Sequence, residues 1–165
     1  MTNPDNLKKI LIAVDDSIYS DNAVSYGLAL ARKLQAEVAL VHVNEIPTAT
    51  PYIADPMLNE TSYIMPEMIA MQEGESEALF ERIRKLAGDE ITLYTFTKIG
   101  SPKTEILATA DECKADLIIL GTHGRTGFDH FISGSVAESV ARRSKCPVLI
   151  IPNKEQEDHS KEKAI

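Results

Sequence analysis

The residues with the most chemical promise stand in one stretch: Gly121-Thr122-His123-Gly124-Arg125-Thr126-Gly127-Phe128-Asp129-His130-Phe131-Ile132-Ser133-Gly134-Ser135. Glycine lets a backbone turn sharply and approach a ligand with no Cβ in the way, so clustered glycines can turn several N–H groups toward phosphate oxygens. Gly134-Ser135 also opens a helical pattern, and the free N–H groups and positive dipole end of a helix start favour an anion. The chemistry implied is the binding of a phosphate chain, with the two ends of the stretch holding different phosphates. A competing reading applies to Ser135, because Ser135-Val136-Ala137-Glu138 has the spacing of a capping box, in which serine and glutamate satisfy each other's backbone donors. Capping alone does not account for four glycines in fourteen residues, in a connection longer than a strand-to-helix turn needs.

A second polar cluster, Asp15-Asp16-Ser17, closes an apolar run that ends at Val14. The other reactive side chains are dispersed. His42 and His123 do not form a metal-binding pair, and Asp129 with His130, the nearest thing to an acid–base pair, need not converge on one atom. Cys113 and Cys146 lack CxxC spacing and read as buried thiols. No nucleophile, base and orienting group stand at recognisable spacings, so no catalytic residue is assigned. Any turnover would be slow hydrolysis by a water that a bound metal orients.

The elements that must position these residues read as a strand–helix alternation. Ile10–Val14, Val38–Val43, Leu117–Leu120 and Val148–Ile151 are apolar runs without alternation, the habit of strands buried on both faces of a parallel sheet. Residues 91–98 alternate, as a strand nearer the sheet edge does. Between them lie helical patterns over Asp21–Leu34 (Ala23, Gly27, Leu30 and Leu34 on one face) and Glu67–Leu86 (Leu79, Ile83 and Leu86). A third follows Gly100-Ser101-Pro102, with Ser101 as N-cap and Ile106, Ala110 and Cys113 facing the sheet. A fourth runs from about Val136 to Arg143. Five strands and four helices in this order make an α/β, doubly wound, open parallel sheet with the first and fourth strands side by side at its centre. The crossovers diverge there and open a crevice at the strands' carboxyl ends. Asp15-Asp16-Ser17 and Gly121-Thr122-His123-Gly124 both fall at that crevice.

The 165 residues suit one domain, and 44% apolar with 25% charged content excludes general disorder. The formal net charge of −8 disfavours a nucleic-acid partner. It leaves an anionic nucleotide open, because local N–H groups can neutralise phosphates. The N-terminus has no apolar signal core and no stretch approaches the length of a membrane span, so the expected setting is cytoplasmic, with no membrane partner. Residues 44–66 carry Pro47, Pro51, Pro56 and Pro66 without periodicity and read as a long connection. Met57, Met65, Met68 and Met71 there and in the following helix could form an adaptable lid or simply fill gaps. The Lys- and Glu-rich residues 153–165 read as a solvated, disordered tail, leaving residues 1–152 as the domain.

These motifs together resemble the universal stress protein family. Gly121-x2-Gly124-x9-Gly134-Ser135 is similar to that family's G-2x-G-9x-G-[S/T] nucleotide motif. The likeness extends to Lys9-Ile10-Leu11-Ile12-Ala13-Val14-Asp15-Asp16-Ser17, His42-Val43, Gly100-Ser101-Pro102, Ala115 to Gly121 and Cys146-Pro147-Val148-Leu149-Ile150, covering roughly Lys8 to Pro152. The resemblance implies an adenine-nucleotide-binding sandwich with strand order 3-2-1-4-5, usually a homodimer joined through the last strands, and a stress-response role exerted through partner proteins not identifiable from sequence. It implies that Ala13, Asp15 and Val43 flank adenine and ribose, and that Gly121, Gly124, Arg125, Gly134, Ser135 and Val136 surround the phosphates. Ser17, beside Asp15, is included among the binding residues. The ligand so implied is ATP, or AMP or ADP, with Mg²⁺ or Mn²⁺. Asp15 suits ribose hydroxyls sterically, with helix capping as the rival role. Asp16 departs from the family's usual glycine; it could oppose the phosphates, help hold the metal, or cap the first helix. Slow ATP hydrolysis or phosphotransfer in the same pocket, and a nucleotide-independent interaction module, are the alternative functions.

Overall fold

A computed structural model describes residues 7–45, 64–122 and 134–152, with the backbone alone for 64–68. In chain order the elements are β1 (Lys9–Ala13), α1 (Ile18–Leu34), β2 (Glu37–Asn44), α2 (Ile64–Ala87), β3 (Leu93–Ile99), α3 (Pro102–Cys113), β4 (Leu117–Gly121), α4 (Ser135–Arg143) and β5 (Val148–Ile151). All four strand pairs are parallel and the sheet order is β3-β2-β1-β4-β5. The architecture is the expected α/β doubly wound sheet, with β1 and β4 joined at its centre. Among the described residues no helix is long and apolar enough to cross a membrane. The proline-bearing segment 46–63 and the tail 153–165 lie outside the described residues.

The apolar runs are strands because each alternate residue has a helix to bury against. Ile10, Ile12, Val38, Leu40 and Ile119 pack with Val24 and Leu28 of α1 and Phe80 and Ile83 of α2. On the other face Leu11, Ala39, Val41, Ile118 and Leu120 pack with Ile106 and Ala110 of α3 and Ala137 and Val140 of α4. Ile10, Leu11 and Ile12 are all wholly buried, as two-sided cover requires. β3 lies at the edge and its burial alternates more weakly, with Tyr94 and Ile99 exposed.

Three helix boundaries differ from the sequence reading. α1 begins at Ile18, three residues before Asp21, because Ser17 and neither aspartate is its N-cap: the Ser17 hydroxyl accepts from the Ser20 N–H at 3.3 Å. Its buried face is Ser20, Ala23, Val24, Gly27, Leu28 and Ala31, and Leu34 is exposed. α2 spans Ile64–Ala87 and turns Leu79, Phe80, Ile83 and Ala87 inward, leaving Leu86 outside. The Arg32 guanidinium of α1 donates to the carbonyls of Leu86 and Ala87 at 2.8 and 3.0 Å, satisfying the end of α2. Ser101 caps α3 by position only, with no side-chain bond. Ile106 and Ala110 are buried as expected, whereas Cys113 and Cys146, expected as buried thiols, pack against the same cluster only half-buried.

The helix α1 lies close on the central strands at two glycines. A Cβ on Gly27 would come within 2.5 Å of the Ile12 Cδ1, a side-chain tip that can rotate. A Cβ on Gly121 would meet the Tyr19 carbonyl oxygen and carbon at 2.8 and 2.9 Å, which are backbone atoms and cannot. Gly121→Ala should therefore cost about 1–3 kcal/mol in urea unfolding, as overpacking does, and more than Gly27→Ala. Lys114 ends α3 with φ of 55°, a left-handed conformation that burdens any residue with a Cβ. Lys114→Gly should raise stability by about 0.5–1 kcal/mol in the same assay. A loss of stability would show that its side chain does more than occupy the cap.

Candidate functional site

At the carboxyl end of β1 the chain enters a closed ring of hydrogen bonds. The Asp15 N–H donates to the Ser20 hydroxyl at 2.9 Å, and the Ser20 N–H donates to the Ser17 hydroxyl. The Ser17 N–H and hydroxyl both donate to Asp15 Oδ1, at 2.9 and 2.5 Å. An aspartate whose oxygen serves the backbone two residues on is the ordinary way such a turn is stiffened. Here it fixes the direction of the Asp15 carboxylate while engaging only one of its oxygens in the ring. Ser17 is committed to this ring as cap and donor, and Asp16 is exposed and does not cap α1.

Beside it β2 runs further than β1. The Val14 N–H donates to the Val41 carbonyl at 2.9 Å, and past that rung the Val14 carbonyl is met by His42 Nδ1 at 2.8 Å. A carbonyl only accepts, so Nδ1 carries the proton. Val43 lies on the face toward α3 and α4, as does Ala13. The Asn44 side chain is buried and donates to the Ser76 hydroxyl at 3.2 Å, and Ser76 donates to the Gln72 carbonyl at 2.8 Å, fastening α2 to the end of β2.

Beyond β4 the backbone of Thr122 accepts from the Gly134 N–H at 2.6 Å, while the Thr122 N–H donates to the Ile151 carbonyl at 3.1 Å. The glycine-rich stretch therefore leaves and rejoins the framework at one point, next to the end of β4 and the start of α4. The residue capping α4 is Gly134, whose carbonyl accepts the Glu138 N–H at 3.0 Å; it makes no side-chain cap bond. The capping box expected of Ser135 and Glu138 does not form. Ser135 is already inside the helix, exposed, and the Glu138 carboxylate pairs forward with Arg142 at 2.8 Å. Among the described residues the first-turn N–H groups of α4 are thus not answered by a capping side chain. Val136 is half-buried and packs on the same apolar cluster as Ala13 and Val43.

Of the expected site residues, the fold gathers Ala13, Asp15, Ser17, Gly121, Gly134, Ser135 and Val136 at the carboxyl ends of the two central strands and the helix that follows, with Val43 on the adjoining strand. Gly121 is the last residue of β4, and its missing side chain is already required by Tyr19. Gly124 and Arg125, with His123 and His130, lie outside the described residues. The sequence reading passed over Ser20 and Ser76, and it weighed His42 as a metal ligand and a family match without giving it a supporting bond. Their signal is a polar residue at a buried phase of an otherwise apolar pattern: Ser20 is 4%, His42 6% and Ser76 1% exposed.

Among the described residues no three His, Cys, Asp or Glu side chains form a metal-holding group. The Glu37 carboxylate holds the Lys9 ammonium above its ordinary value, and burial pushes the Cys113 thiol up; both lie at the amino end of the sheet, away from this site. Clefts of about 140 Å³ beside Asp111 and Cys146 and about 330 Å³ beside Arg32 and Glu90 also lie at that opposite end.

Comparison with known proteins agrees with this arrangement. The universal stress protein MJ0531 of Methanocaldococcus jannaschii is 34% identical over 157 residues, 94% of this chain and 88% of that protein. The solved structure of hypothetical protein MJ0577, the subject of a structure-based assignment of biochemical function, superposes with a TM-score of 0.75 at 28% identity, covering 90% of this chain and 97% of that one. A universal stress protein crystallised in complex with cAMP shares the fold, with a TM-score of 0.62 at 24% identity over 88% of this chain and 97% of its own. The sequence profile described as the universal stress protein family matches residues 6–152, so the chain belongs to that family.

Proposed function

We propose that this protein binds an adenine nucleotide, ATP with ADP and AMP as related ligands, at the carboxyl ends of β1 and β4. Occupancy then sets a conformation or dimer state that partner proteins read during stress. The observation that carries the reading is the junction of Thr122 with Gly134, which joins the end of β4 to a helix start capped by a glycine without a side chain; β4 pairs with β1, whose end leads into Asp15. Ala13, Val43 and Val136 on one face suit a flat apolar base. The held Asp15 carboxylate suits ribose hydroxyls, and the N–H groups at Gly134, Ser135 and Val136 suit phosphates, with Gly121, Gly124 and Arg125 completing the cradle. The cAMP complex of the similar protein is in keeping with an adenine nucleotide as ligand. A Mg²⁺ or Mn²⁺ ion accompanying ATP would take most of its ligands from phosphate oxygens and water, with Asp16 as one carboxylate at that end. A cytoplasmic setting, where ATP is abundant and thiols stay reduced, suits two unpaired cysteines.

Dimerisation through β5 belongs to the same proposal. β5 is an edge strand and all four of its residues are half-exposed, so its open edge can pair with a second copy.

Titration calorimetry with ATP and Mg²⁺ tests the ligand. Saturable binding is expected, weaker for GTP, and reduced about a hundredfold or more in a Gly124→Val, Gly134→Val double variant, equivalent to losing about 3 kcal/mol of contacts. Gly134 has φ of −62°, which valine adopts freely, so its replacement probes space and not backbone strain. An unchanged circular dichroism spectrum would show that the variant folds. Absence of ATP binding by the unmodified protein would leave the interaction-module reading in its place. Light scattering at micromolar concentration should give twice the 18.1 kDa chain mass, falling to one chain in Ile150→Lys. A monomeric unmodified protein would refute pairing through β5.

A further inference from the structure

We propose that His42 is a positioning residue for the nucleotide site, setting the direction of the Asp15 carboxylate through the Val14–Asp15 peptide group. The inference rests on the nucleotide-binding reading above and deepens it by naming what determines recognition of the ribose.

The Val14 carbonyl and the Asp15 N–H belong to one planar peptide unit. Its oxygen accepts from His42 Nδ1 of β2 at 2.8 Å, and its N–H donates to the Ser20 hydroxyl of α1 at 2.9 Å. The plane is thus held at both ends by side chains from two different elements. Sheet pairing does not do this, because β1 and β2 pair only as far as Ala13 and Val41, with one further bond from the Val14 N–H. Past that rung the carbonyl would be free to rotate, and the plane that orients the Asp15 Cα would rotate with it. His42 is 6% exposed, so its ring has little room to leave the carbonyl. The second hold on Asp15, from Ser17 to Oδ1, fixes the carboxylate only relative to its own turn. The His42 bond fixes that turn relative to the sheet, where Ala13 and Val43 lie.

His42 touches no ligand in this account, so its removal should alter how the ribose is recognised and leave adenine and phosphate contacts in place. The test compares ATP with 2′-deoxyATP and 3′-deoxyATP by titration calorimetry. The proteins are the unmodified chain, His42→Leu, His42→Asn, Asp15→Ala and the Asp15→Ala, His42→Leu pair. Asparagine places an N–H donor close to where Nδ1 stands; leucine keeps the bulk and removes the donor. The unmodified protein should prefer ATP over at least one deoxy form by about tenfold or more, as expected of a hydrogen bond to a charged group. That preference should collapse to about twofold or less in His42→Leu and in Asp15→Ala, on the same scale of one such bond lost. It should return in His42→Asn, and His42→Leu should remove nothing further once Asp15 is gone. A Val140→Ala variant, destabilised in the core away from this peptide, should keep it.

Loss of preference in Asp15→Ala with full preference in His42→Leu would overturn the inference while leaving the site intact. So would a collapse in Val140→Ala equal to that in His42→Leu, which would mark a general effect of lost stability. A preference absent from the unmodified protein, or untouched in Asp15→Ala, would overturn the inference while ATP binding stands. Failure of the unmodified protein to bind ATP at all would instead remove the underlying site and this inference with it.

Discussion

The pairing of β1 with β4 is the constraint on which the rest of this structure depends. Because the chain returns to β1 from the opposite side after building β2 and β3, the connections leaving β1 and β4 diverge to opposite faces. No helix can then cover the carboxyl ends of that pair. The pairing demands strands buried on both faces, which is why Ile10–Ile12 and Ile118–Ile119 are continuous apolar runs with no exposed position. It also demands that α1 lie close over both strands. The contacts of Gly27 with Ile12 and of Gly121 with Tyr19 measure how close, and the second leaves no room even for a methyl group. Core packing and site architecture are therefore not separable at Gly121: the residue that ends β4 where the glycine-rich stretch begins is also the one that lets α1 start where it does.

Electrostatics at this end act locally, against the sign of the whole molecule. A chain of net charge −8 attracts no anion at long range. What the fold supplies is a helix start whose N–H groups no side chain caps among the described residues, since Gly134 has none and Ser135 sits inside the helix. The one carboxylate in the first turn of α4, Glu138, is drawn along the helix by Arg142, which offsets its charge. That exposed pair contributes little to stability, but its direction matters, because a glutamate folded back over the cap would answer the N–H groups that an anion needs. The capping box that does not form is what leaves this helix start suited to the anion proposed above.

The parallel strands were legible because burial on two faces leaves a mark that is hard to imitate, an unbroken run of Val, Ile and Leu closed by polar residues. The convergence of Asp15 and Gly121 was legible because the commonest doubly wound solution sets the first and fourth strands side by side; the full strand order came from the family resemblance. Helix boundaries were less so. Before α1 stand Asp15, Asp16 and Ser17, any of which can cap a helix, and the choice of Ser17 turns on a bond to Ser20 that no periodicity reveals. In α2 Leu86 and Ala87 both fit a helical repeat with Leu79 and Ile83; the structure buries Ala87 with Leu79, Phe80 and Ile83 and leaves Leu86 exposed. Ser135 through Glu138 satisfies a local pattern that the Thr122–Gly134 junction overrides by making Gly134 the cap. For α2 and α4 the missing information is a contact between distant segments; for α1 it is the choice among three neighbouring polar residues.

The same reasoning explains why the supporting role of the polar residues at the strand ends was not legible. His42 and Asn44 occupy successive alternate positions of β2 and look like interruptions of an apolar strand, yet His42 holds a carbonyl that the sheet itself leaves unheld and Asn44 ties β2 to α2. His42 takes the Val14 carbonyl, and Asn44 reaches Ser76 while its own carbonyl accepts the Gly100 N–H at 3.0 Å. A parallel sheet runs out of ladder bonds at its carboxyl end, where strands of unequal length stop, and buried backbone groups there must be satisfied by side chains. Those side chains then decide how the loops depart, because they hold the last peptide groups before the chain turns. A carboxyl-end site is consequently only as rigid as the polar residues just beneath it. In this protein β2 contributes Val43 to the expected binding surface, and His42 and Asn44 from the same strand bond the Val14 carbonyl and Ser76 beside it.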